Sequence, residues 1–308
     1  MRMSMEWKHT TTYTARRNPL LSVLKSALIS VLGVMGMACA AQAADVPERI
    51  ISADGSLTEI VYALGESERL VGVDTTSSYP PEARTKAQIG YKRAISAEGT
   101  LSLAPDVVIA TEDSGPDKVI QQLKAAGVEF KVMSAAPELK AVQEKITNVA
   151  AVLGKPDAGE ALWQQVEQAV KAATARSQQV TNPLRVMFVL SAGDRSPLIG
   201  GEKTGADTMI RLAGGTNAAH AFEGYKPMPV EAVVAARPDV ILMMDRAGHN
   251  MAAEQLFAQP GFAATPAAKD QRLIRIDGLK LLGFGPRVGE AIAELTTALY
   301  GPLETAER

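Results

Sequence analysis

Two stretches of this chain repeat each other. Residues 98–110 read EGTLSLAPDVVIA and residues 231–243 read EAVVAARPDVILM, so a glutamate, a Pro-Asp turn and an apolar run coincide at a constant offset of 133 residues. Each stretch reads as a short helix, a turn and a strand of the kind buried in a parallel sheet. A duplicated unit of this kind points to two similar α/β lobes, and crevices between lobes are where ligands bind.

The rest of the chain fits that plan. Residues 49–53, RIISA, read as a buried strand. Asp54 to Ser56 supplies a helix N-cap, and Leu57, Ile60, Val61 and Leu64 follow at helical spacing up to Gly65. Residues 69–74 read as a second strand, 75–81 as a polar turn with a double proline, 116–127 as a helix and 130–133 as a strand. This rhythm predicts βαβ units around a mostly parallel sheet. Residues 139–153 form an amphipathic helix ending at Gly154. Pro156 then opens a run with no breaker from 160 to 179, roughly 30 Å of helix at 1.5 Å per residue. Its Ala, Gln and Glu content, with polar residues spread along it, predicts a stiff connector rather than a core helix. After Asn182-Pro183 the pattern restarts with a strand at 184–190, a helix at 205–212 and a strand at 240–244. The expected fold is α/β, with two Rossmann-like βαβ lobes (44–155 and 182–308) joined by one long α-helix (156–181) and a ligand cleft between the lobes.

The N-terminus sets the compartment. Residues 1–26 carry Arg2, Lys8, Arg16, Arg17 and Lys25 against Glu6, residues 27–41 are apolar, and Ala41-Gln42-Ala43 is a small-residue cleavage pattern. That is the order of a secretory signal, with an apolar run too short to span a bilayer, and cleavage is expected before Ala44. The single cysteine, Cys39, invites a lipoprotein reading, but Gly36-Met37-Ala38 is a poor lipobox. A chain starting at Ala44 has no cysteine and forms no disulfide. Removing residues 1–43 takes away five cations and one acid, leaving 27 cations and 33 acids and a net charge near −6. That argues against nucleic acid or an anionic membrane as the main partner.

Catalytic and metal motifs are few. After residue 43 the only histidines are His220 and His249, too few without cysteine for a closed zinc site. Neither HExxH nor a GxSxG nucleophile elbow occurs, and Gly201-Glu202-Lys203-Thr204 lacks the glycine before lysine that a phosphate loop needs. Glu112-Asp113 reads as a solvated loop end. Nothing assembles into a catalytic set, so the chain reads as a binding protein and not an enzyme. Tyr91 stands apart, because Lys92 and Arg93 follow it in what reads as a loop. A phenol with its ordinary pKa of about 10 is a poor ligand, but adjacent cations favour the phenolate. Phenolate oxygen suits ferric iron, and tyrosine serves as an axial ligand of haem. In an extended segment Arg93 shares a face with Tyr91. The residues alone leave open an ordinary loop tyrosine with solvated basic neighbours.

From Pro47 onward the chain resembles the periplasmic haem-binding proteins of bacterial haem ABC importers. These belong to the helix-linked class of substrate-binding proteins that also holds siderophore and vitamin B12 binders. RIISADGSLTEIVYALG, SLAPDVVIA and the long connector carry the class-wide resemblance, and IGYKRAISAEGTLSL, residues 89–103, carries the haem-specific one. The resemblance implies a periplasmic protein that captures haem (ferric protoporphyrin IX) on Tyr91, with Arg93 supporting the phenolate. It implies delivery to an inner-membrane ABC permease dimer, with an outer-membrane haem receptor upstream. In this class a glutamate on each lobe, seven residues before the proline of the Pro-Asp turn, docks into arginine pockets of the permease. Here those are Glu98 and Glu231, and a two-lobed protein offering matched carboxylates suits a dimeric partner.

The cleft's far wall is expected from the second lobe. Residues 245–249 follow the second strand as 111–115 follow the first, and loops at the carboxyl ends of strands line such crevices. Arg246 is the candidate for a propionate contact, since arginine grips a carboxylate bidentately. Tyr225 falls one residue from the equivalent of Tyr91 and faces the cleft on the same argument, and His249 is a further candidate for the iron. The connector predicts small hinge motion, and a clamp of this kind needs no second copy, so a monomer is expected. The same fold binding a ferric siderophore or a corrinoid is the alternative. A haem-dependent enzyme is the rival from another class, opposed by the lack of an acid–base histidine or nucleophile near Tyr91.

Overall fold

The most apolar segments sit at the centre of the first sheet. Strand β1 (Ile50–Ala53) is wholly buried and is followed by α1 (Gly55–Ala63), β2 (Leu70–Val73), β3 (Ala87–Gln88), a small pair β4 (Gly90–Tyr91) and β5 (Ala94–Ile95), and α2 (Ala97–Ser102). Then come β6 (Val107–Thr111), α3 (Asp117–Ala125), β7 (Glu129–Met133) and α4 (Leu139–Val152). The sheet order is β3-β2-β1-β6-β7, all parallel, with Ile50 to Ala53 aligned on Val107 to Ala110. The two central strands are buried on both faces, as parallel strands flanked by helices must be. This computed structural model describes residues 46–193, 196–245 and 251–302. The expected signal sequence with Cys39 and the cleavage point before Ala44, and likewise Arg246 and His249, lie outside the described residues.

Helix α5 (Pro156–Ser177) begins with proline in its first turn, where no amide partner is lost, and its 22 residues extend about 33 Å. It joins the two lobes but is more than the polar spacer its composition suggests. Gly159, Val166, Val170, Ala173 and Ser177 are buried along one stripe, at helical spacing. Small residues allow the close approach at both ends. A Cβ on Gly159 would lie 2.4 Å from the Ala150 Cβ of α4.

The second lobe follows with β8 (Arg185–Ser191), β9 (Leu198–Gly200), α6 (Gly205–Leu212), β10 (Thr216–Asn217), β11 (Tyr225–Pro227), α7 (Val230–Ala236) and β12 (Val240–Asp245). It ends with α8 (Ala253–Phe257), α9 (Pro266–Lys269), β13 (Leu273–Asp277), α10 (Gly278–Leu282) and α11 (Val288–Tyr300). Its sheet runs β11-β9-β8-β12-β13 with β10 also on β8. Unlike the first sheet it is mixed, because β9 is antiparallel to both β8 and β11. The duplication is therefore one of central units, not of whole lobes. The segment that fails as a phosphate loop serves instead to start α6, where Thr204 caps the helix by accepting from the Asp207 amide at 3.1 Å.

One apolar cluster runs through both lobes. It takes Ile50, Val107 and Ile109 from the first sheet, Val186, Phe188 and Leu242 from the second, and the buried stripe of α5 between them. The alternate residues of the same strands (Ile51 and Val108, Met187 and Val189) pack into separate outer clusters, following the two-residue period of a strand. Helix α11 closes the back, where a Cβ on Gly289 would lie 2.7 Å from the Ala169 Cβ of α5.

Candidate functional site

The carboxyl ends of β1, β2 and β6 carry polar residues that the apolar strands push to one edge. Asp54, Asp74 and Thr111 are all buried there, as open parallel sheets place their binding crevices. Above them, between the lobes, lies a cavity of about 1050 Å³. That is at the upper end of small-molecule pockets.

Tyr91 reaches this cavity from the β4–β5 hairpin, in place of the plain loop expected from sequence. Gly90 makes the hairpin possible, with φ +100 and an Ala94 carbonyl 2.8 Å from where a Cβ would be. Tyr91 pairs with Ala94, so Lys92 and Arg93 form the two-residue turn. Tyr91 is 43% exposed and lines the cavity wall.

The two cations after Tyr91 go opposite ways. The Lys92 side chain is only 16% exposed and turns down to the cavity floor, to Asp54 Oδ2 at 2.7 Å and Asp113 Oδ1 at 2.9 Å. Arg93 is 59% exposed and turns to the cavity, holding Asp113 Oδ2 at 2.5 Å. Its hydrogen bond to Asp113 raises the Arg93 guanidinium further, and the Tyr91 and Tyr225 oxygens add to that in a smaller measure. Asp113 is therefore not the solvated loop end expected from its neighbourhood. Burial opposes its ionisation, but hydrogen bonds from Lys92, Thr111 and Arg93 outweigh burial and hold its carboxyl at about 2. Asp54 shows the same balance: burial raises it, and the charges of Lys92 and Lys145 bring it below its ordinary value. Asp74 goes the other way, since burial outweighs its bonds from Thr76 and Ser77.

Tyr225 stands on β11 in the second-lobe wall of the same cavity, edge-on to Phe188 with ring centres 6.3 Å apart. Burial raises its phenol, against the opposing influence of Thr204, the Ala206 backbone and the Arg93 charge. Met244, Leu279, Leu282 and Phe284 give this wall an apolar surface. β12 extends one residue further than expected, so Asp245 ends the strand and lines the cavity rather than opening a loop.

Lys145 escaped the sequence reading altogether. It sits on α4 among Val142, Ile146 and Val149, 3% exposed, and donates to Ser56 Oγ and to the Gly283 carbonyl of the second lobe, both at 3.0 Å. Burial pulls its ammonium down to about 8, against the charge of Asp54. A lysine on the apolar face of an amphipathic helix was the signal that marked it. Glu98 and Glu231 lie outside the cavity lining, each exposed in the first turn of its helix, α2 and α7. His220 is exposed, with Nδ1 3.2 Å from the Asn217 carbonyl, and is likewise not in the cavity.

This site combines a cleft tyrosine beside an arginine, an aromatic and apolar opposite wall, and a charged floor. The periplasmic binding protein family profile matches residues 50–278. The structure is similar to the periplasmic heme-binding protein RhuT from Roseiflexus sp. RS-1, with a TM-score of 0.78 and 43% identity, covering 82% of this chain and 98% of that one. It is similar to the periplasmic heme-binding protein BhuT in complex with two hemes, with a TM-score of 0.77 and 42% identity, covering 82% and 97%. A vitamin B12-binding protein of Pectobacterium atrosepticum is 25% identical over 268 residues, 82% of this chain and 91% of its own. With a family match over most of its length and such identity to solved relatives, the chain belongs to the periplasmic binding protein family.

Proposed function

We propose that this protein captures haem in the cleft between its lobes and delivers it to an inner-membrane ABC transporter. The observation that carries the reading is Tyr91, exposed in the cavity wall with the Arg93 cation facing the same space. Phenolate oxygen is a hard anionic donor for ferric iron, and a neighbouring guanidinium favours the ionised form. Tyr91 ligates the iron and Arg93 supports the phenolate. Tyr225 and the apolar wall of Met244, Leu279, Leu282 and Phe284 cover the porphyrin from the second lobe. Arg246 pairs with a propionate.

Support also comes from the solved haem-binding relatives at 43% and 42% identity, against 25% for the vitamin B12-binding relative. The family is one of transport binding proteins, and the cleft is used to hold a ligand rather than to transform it. Export uses residues 1–43 as a signal cleaved before Ala44. The protein then works in the periplasm as a monomer, with lobes at 44–155 and 182–308 and the connector between them. An outer-membrane receptor route supplies the haem. Glu98 and Glu231, one exposed carboxylate per lobe, dock on the two permease subunits.

A corrinoid in the same cleft is the second reading, favoured by the vitamin B12-binding relative. Parallel titrations with hemin, cyanocobalamin and a ferric siderophore decide between them. Saturable binding of hemin alone supports haem, and saturable binding of either other ligand without hemin overturns it.

A further inference from the structure

We propose that Lys92 is a positioning residue: its buried bonds fix the hairpin that presents Tyr91 and Arg93 to the cavity. The inference rests on Tyr91 being the ligand-binding tyrosine.

The need for an anchor comes from the hairpin itself. β4 and β5 have two residues each, and the pair belongs to neither main sheet. An isolated two-stranded hairpin is marginal in water; this one is tied at its base by the Thr75 amide on the Gly90 carbonyl and the Ile95 amide on the Gly115 carbonyl, both at 3.0 Å, and its turn needs a hold of its own. Among the described residues no hydrogen bond holds the Tyr91 hydroxyl, so the ring is placed by the backbone that carries it.

Lys92 supplies that backbone with fixed points on three separate segments, the ends of β1 and β2 and the loop after β6. Its amide donates to Asp74 Oδ2 at 3.2 Å, past the end of β2. Its carbonyl accepts from the Gly115 amide at 2.8 Å. Its Nζ reaches Asp54 at the end of β1 and Asp113 beyond β6, with Thr111 Oγ1 at 3.4 Å. Asp113 in turn holds Arg93 with its second oxygen, so the inward cation and the outward one share a single carboxylate. The inward lysine thus sets the hairpin on the sheet edge and leaves its two neighbours facing the cavity. Groups one shell behind a metal ligand commonly change affinity by about 10–100-fold when removed.

Removing Lys92 alone strands the Asp54 charge in a buried site. The test therefore uses Lys92→Met beside Asp54→Asn/Lys92→Met, with Lys131→Met, an exposed lysine, as control. Hydrogen exchange across residues 90–95 of the ligand-free protein reads the anchoring without any ligand. The double variant is expected to keep its far-UV spectrum and melting cooperativity while these amides exchange at least about tenfold faster, in line with loss of the Nζ bonds that hold the turn to the ends of β1 and β6. Its hemin affinity is expected to fall by about 10–100-fold, with a weakened ferric-tyrosinate charge-transfer band. A folded double variant with wild-type exchange at 90–95, or with wild-type hemin affinity and spectrum, overturns the proposal. If the wild-type protein takes up no hemin, the functional reading fails, and the anchoring still stands or falls on the exchange rates.

Discussion

Arg287 of the second lobe is buried against Glu59 of the first. Its Nε donates to Glu59 Oε2 at 3.2 Å, Nη2 bonds the other carboxylate oxygen, and the guanidinium lies 3.7 Å from the centre of the Tyr79 ring. The two side chains are 13% and 4% exposed. Together with the bond from Lys145 to the Gly283 carbonyl, this ties the lobes on the floor side of the cleft. With α5 spanning the same two lobes, these ties predict a small hinge motion.

Arg287→Ala leaves the Glu59 carboxylate buried without its cation. Breaking such a pair from one side destabilises by about 3–5 kcal/mol. The denaturation midpoint in urea should fall accordingly, whereas Glu59→Gln/Arg287→Met should recover most of the loss. Equal loss in the single and double variants would show that the pairing is not what matters.

Acid should weaken the Asp113 cluster in a defined window. The folded-state value is about 2 against an ordinary 3.8, so the unfolded chain binds the proton more readily. The stabilisation is full above about pH 4 and disappears as pH falls through about 2, amounting to about 2 kcal/mol. Asp113→Asn should therefore flatten the pH dependence of stability between about pH 4 and 2 relative to wild type. Parallel curves for the two proteins would contradict it.

Gly289→Val should disturb the junction of α11 with α5. The added Cβ would meet the Ala169 Cβ at 2.7 Å and its carbonyl carbon at 2.8 Å, and backbone atoms cannot step aside. Overpacking of this kind costs about 1–3 kcal/mol, read as a lower melting temperature. Gly193→Ala, with no atom of the described residues within 4 Å of the new Cβ, is the control expected to stay within about 0.5 kcal/mol.

Much of this architecture is legible in the chain. The Pro-Asp turns, the apolar runs after them and the glycine-ended helices place the sheets, and α6 falls at residues 205–212 as expected. These features are local, written in periods of two and 3.6 residues. What escapes is long-range pairing. That Lys92 turns inward while Arg93 turns outward depends on Asp54, 38 residues away, and Glu59 and Arg287 are 228 residues apart. Asp113 looks solvated until the hairpin folds over it. The buried stripe of α5 is hidden because Gly159, Ala173 and Ser177 are small residues whose burial comes from close helix approach and not from hydrophobicity. Sequence placed Tyr91, Arg93 and Tyr225 near the cleft and missed the charged floor beneath them.

The most direct measurement is an absorption titration of the purified protein with hemin, run beside Tyr91→Ala. Haem capture on Tyr91 predicts saturable binding by the wild-type protein with a ferric-tyrosinate spectrum, and loss of that spectrum in the variant with at least about tenfold weaker binding. Saturable binding with the same spectrum in both proteins would move the iron ligand away from Tyr91, and no saturable binding by either would contradict haem capture itself.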